Sequence, residues 1–106
     1  MFQELSPQEL KYKIDTGQQI CLLDVRSKAE VDICHIDGSL LIPLSELNEN
    51  VHRIPQNRPI VTICHHGVRS KHAAIILMSA GVKDVHNLTG GIAAWAESVD
   101  PSMATY

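Results

Sequence analysis

The chemistry in this sequence is concentrated in eleven residues, Ile60-Val61-Thr62-Ile63-Cys64-His65-His66-Gly67-Val68-Arg69-Ser70. Four β-formers run directly into a cysteine, a short turn containing Gly67 follows, and an apolar pattern of helical spacing begins at Arg69. That order delivers a thiol to the carboxyl end of a buried strand and to the mouth of a helix. Unpaired amides and the positive end of the helix dipole stabilise a thiolate there. Thiols in such surroundings have depressed pKa values and act as nucleophiles. Successive amides of the 64–69 loop can converge into an anion-binding nest, with Gly67 free to take a positive φ. Arg69 adds a fixed charge and a planar fork of donors.

Only a few per cent of an ordinary cysteine, pKa about 8.5, is ionised at pH 7. Making the thiolate the major form requires about 2.7 kcal/mol of stabilisation, which two or three charge-assisted hydrogen bonds supply. The simpler reading of Cys64 is a small core residue, a common fate of free cysteine. The polar run His65-His66-Gly67 directly behind it favours the nucleophile, because such residues do not continue a core strand.

The 106 residues suit a single domain, 1–106, with 99–106 as a C-terminal tail. Apolar residues make up 44% and charged residues 20%, the balance of a soluble globular protein. A net charge of −3 argues against nucleic-acid binding. No apolar run approaches the ~20 residues of a membrane span, and the first twenty residues lack the apolar core of a secretory signal. Three cysteines, Cys21, Cys34 and Cys64, cannot all pair within one molecule, which points to a reducing, cytoplasmic setting. The six histidines follow no zinc-ligand spacing, so no metal is expected.

The remaining elements must position the cysteine. Phe2–Glu4 reads as a first strand. Ser6-Pro7-Gln8-Glu9 carries a capping box with proline at the first helical position, and Gly17 ends that helix. Ile20–Val25 is apolar enough to be a strand buried on both faces. Ser27 and Glu30 repeat the capping box. Leu40–Ile42 is a short strand stopped by Pro43, and Ser45 is expected to cap a helix over 46–53. Ile60–Ile63 is the fourth strand, Arg69–Ala80 a helix closed by Gly81, and Val85–Leu88 the fifth strand. Gly90-Gly91 precedes a last helix with Ile92 and Trp95. Five strands alternating with helices give an α/β fold, a parallel sheet with helices on both faces. Ligands of such sheets bind beyond the carboxyl ends of the strands, where Cys64 falls.

Three separated segments together resemble the single-domain rhodaneses. Asp24-Val25-Arg26, Glu30, His35-Ile36-Asp37-Gly38-Ser39 and Ile42-Pro43 resemble the family's first signature. Cys64 to Ser70 resembles its active-site loop, and Asn87-Leu88-Thr89-Gly90-Gly91-Ile92 with Trp95 its C-terminal signature. The resemblance implies a three-layer α/β/α domain whose five-stranded parallel sheet has the order 3-2-4-5-1. It also implies a sulfurtransferase that needs no cofactor. Cys64 would take a sulfane sulfur from a donor such as thiosulfate and hold it as a persulfide. It would then pass the sulfur to cyanide, a thiol or a sulfur-carrier protein. The amides of His65, His66, Gly67, Val68 and Arg69, with the Arg69 charge, would bind the transferred sulfur or the donor. Related dual-specificity phosphatases and arsenate reductases have five residues between cysteine and arginine. The four here make a narrower loop, better matched to sulfur than to phosphate.

Two features depart from the family pattern. Cys34 stands where glycine is usual before the His-Ile pair, and a side chain fits there only with negative φ or open space. The loop carries His65 and His66, mostly neutral at pH 7, where many thiosulfate-using members carry fixed charge. The alternatives to an enzyme are a non-catalytic binding or regulatory module on the same fold, and a redox sensor pairing Cys34 with Cys64. Asp24 and Arg26 read as a structural ion pair or cap, Cys21 as core, Trp95 as a packing anchor, His35 as structural, and Ser70 as a helix-start cap or hydrogen-bonder with a secondary role close to Cys64.

Overall fold

The computed structural model describes residues 1–106. Its sheet contains β1 (Gln3–Leu5), β2 (Cys21–Asp24), β3 (Leu40–Leu41), β4 (Ile60–Ile63) and β5 (Val85–Leu88). All neighbours are parallel, in the order β1-β5-β4-β2-β3, which read from the other edge is 3-2-4-5-1. The register places Asp24 beside Ile63, Thr62 beside Asn87 and Leu5 beside Leu88. The carboxyl ends of β1, β2, β4 and β5 therefore meet at one edge, with Cys64 one residue beyond β4.

Strand alternation divides the core into two clusters. Cys21, Leu23, Ile60 and Cys64 point to the face covered by α3 (Leu47–Asn50) and α4 (Val68–Ser79), where Ala73, Ala74 and Leu77 meet them. Leu22, Val61, Ile63 and Leu88 point the other way, against Leu10 of α1 (Pro7–Asp15) and Ile92 and Trp95 of α5 (Gly91–Ser98). Strands buried on both sides lose alternation in the sequence and read as continuous apolar runs.

Both capping boxes form. Ser6 Oγ accepts from the Glu9 amide at 3.1 Å while Glu9 accepts from the Ser6 amide at 2.9 Å, starting α1. Ser27 and Glu30 do the same for α2 (Lys28–Ile33), with both bonds at 3.2 Å. The segment after Pro43 differs from the expected helix over 46–53. It folds as a 3₁₀ turn (Leu44–Glu46), the single turn of α3 and a second 3₁₀ turn (Val51–Arg53), and Ser45 caps nothing. Buried Leu47 and Ile54, with partly buried Leu44 and Val51, supply only a short apolar stripe against the sheet, and three-residue spacing suits 3₁₀ geometry.

Residues 99–106 contain no helix or strand, yet they are anchored. Met103 packs on the cluster under α5, and Tyr106 reaches the edge of the sheet that carries Cys64.

Candidate active site

Cys64 is 1% exposed and lies between the end of β4 and the start of α4. Its sulfur accepts hydrogen bonds from the Gly67 amide at 3.0 Å and the Ser70 amide at 3.3 Å, and its S–H donates to Ser70 Oγ at 3.2 Å. The two amides on the sulfur thus come from Gly67 and from Ser70, a residue just past the expected nest. Gly67 reaches this position with φ +100, and a Cβ there would stand 3.3 Å from the Gly90 amide nitrogen. Glycine meets both demands.

The other side of the loop is held by the start of α5. The Ile92 amide donates to the Cys64 carbonyl at 2.8 Å and the Ala93 amide to the His65 carbonyl at 3.0 Å. For this the two chains must approach so closely that a Cβ on Gly91 would lie 2.5 Å from both carbonyl oxygens. The Gly90-Gly91 pair of the sequence is thereby explained by the loop it buttresses.

Arg69 turns its fork onto Glu30 of α2, with bonds of 2.7 and 2.8 Å. The Arg69 hydrogen bonds hold the Glu30 carboxyl far below the ordinary carboxylate range, against the opposing effect of burial, with a further contribution from Tyr106. Tyr106 donates its hydroxyl proton to Glu30 at 2.7 Å and accepts from Arg26 Nη1 at 2.9 Å. Its ring stacks on His65, with centroids 3.9 Å apart and planes 15° from parallel, and His65 in turn lies 3.9 Å from His66. Burial, and then the neighbouring His66, push the His65 pKa down, so the imidazole is neutral at pH 7. A cavity of about 340 Å³ opens beside the loop, lined by His65, Cys34, Ile92, Ala93, Ala96 and Tyr106 among others.

Val68, 75% exposed, opens α4 beside the loop. Asp24 and Arg26 form a fully buried ion pair at 2.7 Å, and Arg26 Nη2 also donates to the Cys34 carbonyl at 2.7 Å. Cys34 has φ −161, an extended conformation open to any residue, which accounts for a side chain in the usual glycine position. All three cysteines are free thiols. Cys34 belongs to the core cluster on the opposite face of the sheet from Cys64.

Ser70 and Asn87, both 0% exposed, complete the site. Ser70 Oγ donates a short hydrogen bond to Asn87 Oδ1, and Asn87 Nδ2 donates to the Glu4 carboxylate at 3.0 and 3.3 Å. The sequence reads Ser70 first as a helix-start hydrogen-bonder, with a role close to Cys64 second, and does not single out Glu4 or Tyr106. The signal available for Ser70 was its position one turn past Gly67, which turns its hydroxyl back on Cys64.

A three-layer parallel α/β domain that offers a cysteine to helix-start amides at the carboxyl edge of its sheet defines a class built around one strand-to-helix cysteine loop. The chain belongs to the family of rhodanese-like domains, whose model matches residues 6–98. Over 104 residues it is 43% identical to the probable adenylyltransferase/sulfurtransferase MoeZ of Mycobacterium tuberculosis, a match covering 96% of this chain and 26% of that protein. A protein of Allochromatium vinosum named sulfurtransferase is 33% identical over 104 residues, covering 98% of this chain and 97% of its own length. The structure of the human single-domain sulfurtransferase TSTD1 matches with a TM-score of 0.82 at 27% identity, over 90% of this chain and 96% of the human one. The chain thus spans about a quarter of the first relative and nearly all of the other two. At the level of the family, these likenesses support a role in sulfur transfer. No helix is long and apolar enough to cross a membrane.

Proposed function

We propose that this chain is a sulfurtransferase that carries sulfane sulfur as a persulfide on Cys64, with no organic cofactor or metal. The observation that carries this reading is the placement of Cys64 Sγ 3.0 and 3.3 Å from two amides at the start of α4. Those donors favour negative charge on the sulfur. In the first half-reaction the Cys64 thiolate attacks the outer sulfur of the donor. A new S–S bond forms on Cys64, the donor's S–S bond breaks, and its remainder leaves with the electron pair, as sulfite from thiosulfate or as a thiolate from a persulfide. In the second, cyanide or an acceptor thiolate attacks the outer sulfur of the Cys64 persulfide and regenerates the Cys64 thiolate. Each half-reaction moves one sulfur and consumes no oxidant.

The surroundings also bear on the donor. The Arg69 charge is paired with Glu30, and His65, pushed toward its neutral form, adds no charge. Amides of the loop from His65 to Arg69 remain the principal means of holding a donor. That environment suits a singly charged persulfide, on a small thiol or a sulfur-carrier protein, better than doubly charged thiosulfate. Three free thiols fit a reducing compartment such as the cytoplasm. The test is thiocyanate release in the presence of cyanide. Wild type should release it with either donor, and with the lower KM for a small-molecule persulfide. A folded Cys64→Ser variant that retains wild-type release would remove Cys64 from the reaction.

A further inference from the structure

The sulfur of Cys64 takes part in two kinds of hydrogen bond with opposite consequences. The Gly67 and Ser70 amides donate to it and favour the thiolate, whereas Ser70 Oγ accepts from it and favours the S–H form. A serine hydroxyl is able to play either part, since it carries one proton and two lone pairs. What decides its direction lies two residues further away.

Glu4, the central residue of β1, can only accept hydrogen bonds when ionised. It takes the Thr89 hydroxyl at 2.7 Å and Asn87 Nδ2 at 3.0 Å. With its NH₂ committed to Glu4, Asn87 must present Oδ1 to Ser70. An amide oxygen only accepts, so the Ser70 proton goes to Asn87 and a lone pair faces Cys64. Ser70 and Asn87 are wholly buried, and the Ser70 hydroxyl bonds only to Asn87 Oδ1 and to Cys64, through Sγ and its S–H. We propose that Glu4 and Asn87 are positioning residues that set the direction of the Ser70–Cys64 hydrogen bond, so that the resting site holds the Cys64 proton against the thiolate-favouring amides. The proposal concerns the same thiol as the sulfur-transfer reading and deepens it.

Other charged and titratable groups surround the sulfur. Arg69 of α4 is compensated by Glu30 of α2, His65 and His66 lie in the loop, Tyr106 comes from the tail, and Asp24 and Arg26 at the end of β2 neutralise each other. None of them dictates which way the Ser70 hydroxyl points. Glu4 does so without touching either Ser70 or Cys64.

The test replaces Glu4 by lysine, because Thr89 and Asn87 donate to the same Glu4 oxygen and a glutamine would keep both bonds. In Glu4→Lys the ammonium only donates and calls for Asn87 Oδ1. Asn87 then turns its own NH₂ toward Ser70 Oγ, and the Ser70 hydroxyl is released to donate to Cys64. Iodoacetamide alkylation, mapped to the Cys64 peptide by mass spectrometry, should be at least about threefold faster at pH 7 than in wild type, the scale of one hydrogen bond. The pH of half-maximal rate should fall. Reversing the charge at position 4 would also speed alkylation, so the same substitution is made in a Ser70→Ala background. There only the smaller acceleration due to charge should remain, because the hydroxyl that relays the rest is gone. No acceleration in Glu4→Lys, or equal acceleration in both backgrounds, overturns the proposal. A second measurement is independent of how Ser70→Ala folds. The infrared S–H stretching band of Cys64, assigned by its loss in Cys64→Ser, should lie at the frequency of a hydrogen-bonded thiol in wild type. It should move toward that of a free thiol in Glu4→Lys. A free-thiol band in wild type contradicts the inferred direction. Neither readout involves sulfur transfer, so either account can fail while the other stands.

Discussion

Arg69 and Glu30 are joined by two parallel hydrogen bonds of 2.7 and 2.8 Å although 39 residues separate them in the chain. The arginine of the cysteine loop is thereby tied to α2, and its charge is compensated before any donor arrives. Glu30 also closes the capping box of α2, so one side chain sets a helix start and the charge of the site together.

Releasing that charge should change donor preference. Glutamine at position 30 still closes a capping box but no longer neutralises Arg69. Glu30→Gln is expected to lower the KM for thiosulfate several-fold and to alter that for an uncharged alkylating agent little. Steady-state kinetics with thiosulfate, beside iodoacetamide rates at Cys64, checks both. An unchanged thiosulfate KM would show that Arg69 contributes no charge to donor binding.

The same pair makes stability depend on acid. A carboxyl whose folded pKa lies below its unfolded value of about 4.3 stabilises the fold above that value and loses this contribution as pH falls. Glu30 is such a group, held low chiefly by Arg69. From about pH 5 downward, wild type should therefore lose melting temperature more steeply than Glu30→Gln, while above pH 6 the gap between them stays constant. Thermal melts across pH 3–8 test this.

Tyr106 joins the two ends of the cysteine loop. Its ring lies on His65, while its hydroxyl bonds to Glu30, the partner of Arg69. With Cys64 only 1% exposed, removing this strap should open the approach to the sulfur. Tyr106→Ala is expected to speed Cys64 alkylation several-fold. Tyr106→Phe keeps the stack and should give a smaller effect. Identical rates in all three proteins would show that the approach to Cys64 lies elsewhere.

Gly91 and Gly81 separate backbone strain from steric exclusion. Both have positive φ, but a Cβ at Gly81 meets open space whereas one at Gly91 runs into the Cys64 and His65 carbonyls. Gly81→Ala should cost roughly 1–2 kcal/mol, the penalty for a left-handed non-glycine residue. Gly91→Ala should cost more, at least about 3 kcal/mol, and should disturb Cys64 reactivity as well. Urea unfolding of the two variants measures the difference.

The sheet, its helices and Cys64 were legible because each rests on local chemistry. Apolar runs mark β2 and β4, the serine–glutamate boxes mark α1 and α2, and Gly67 marks the loop. The 3₁₀ turns after Pro43 were not legible. Ser45 looks like a cap, but the outcome there depends on how Leu44, Leu47, Val51 and Ile54 settle on the sheet. The partners of Arg69 and Asn87 were also out of reach, since the contacts with Glu30 and Glu4 arise only when strands distant in sequence share an edge. Tyr106 carried no local signal, because its stack on His65 depends on the path of the whole tail.

The central claim is that Cys64 carries the sulfur. Its most direct test is the intact mass of reduced wild type and Cys64→Ser after incubation with thiosulfate or a small-molecule persulfide, followed by cyanide. Wild type alone should gain a single sulfur atom and lose it to cyanide. A folded wild type that gains no sulfur from either donor, or a Cys64→Ser variant that gains the same cyanide-labile sulfur, would contradict the account.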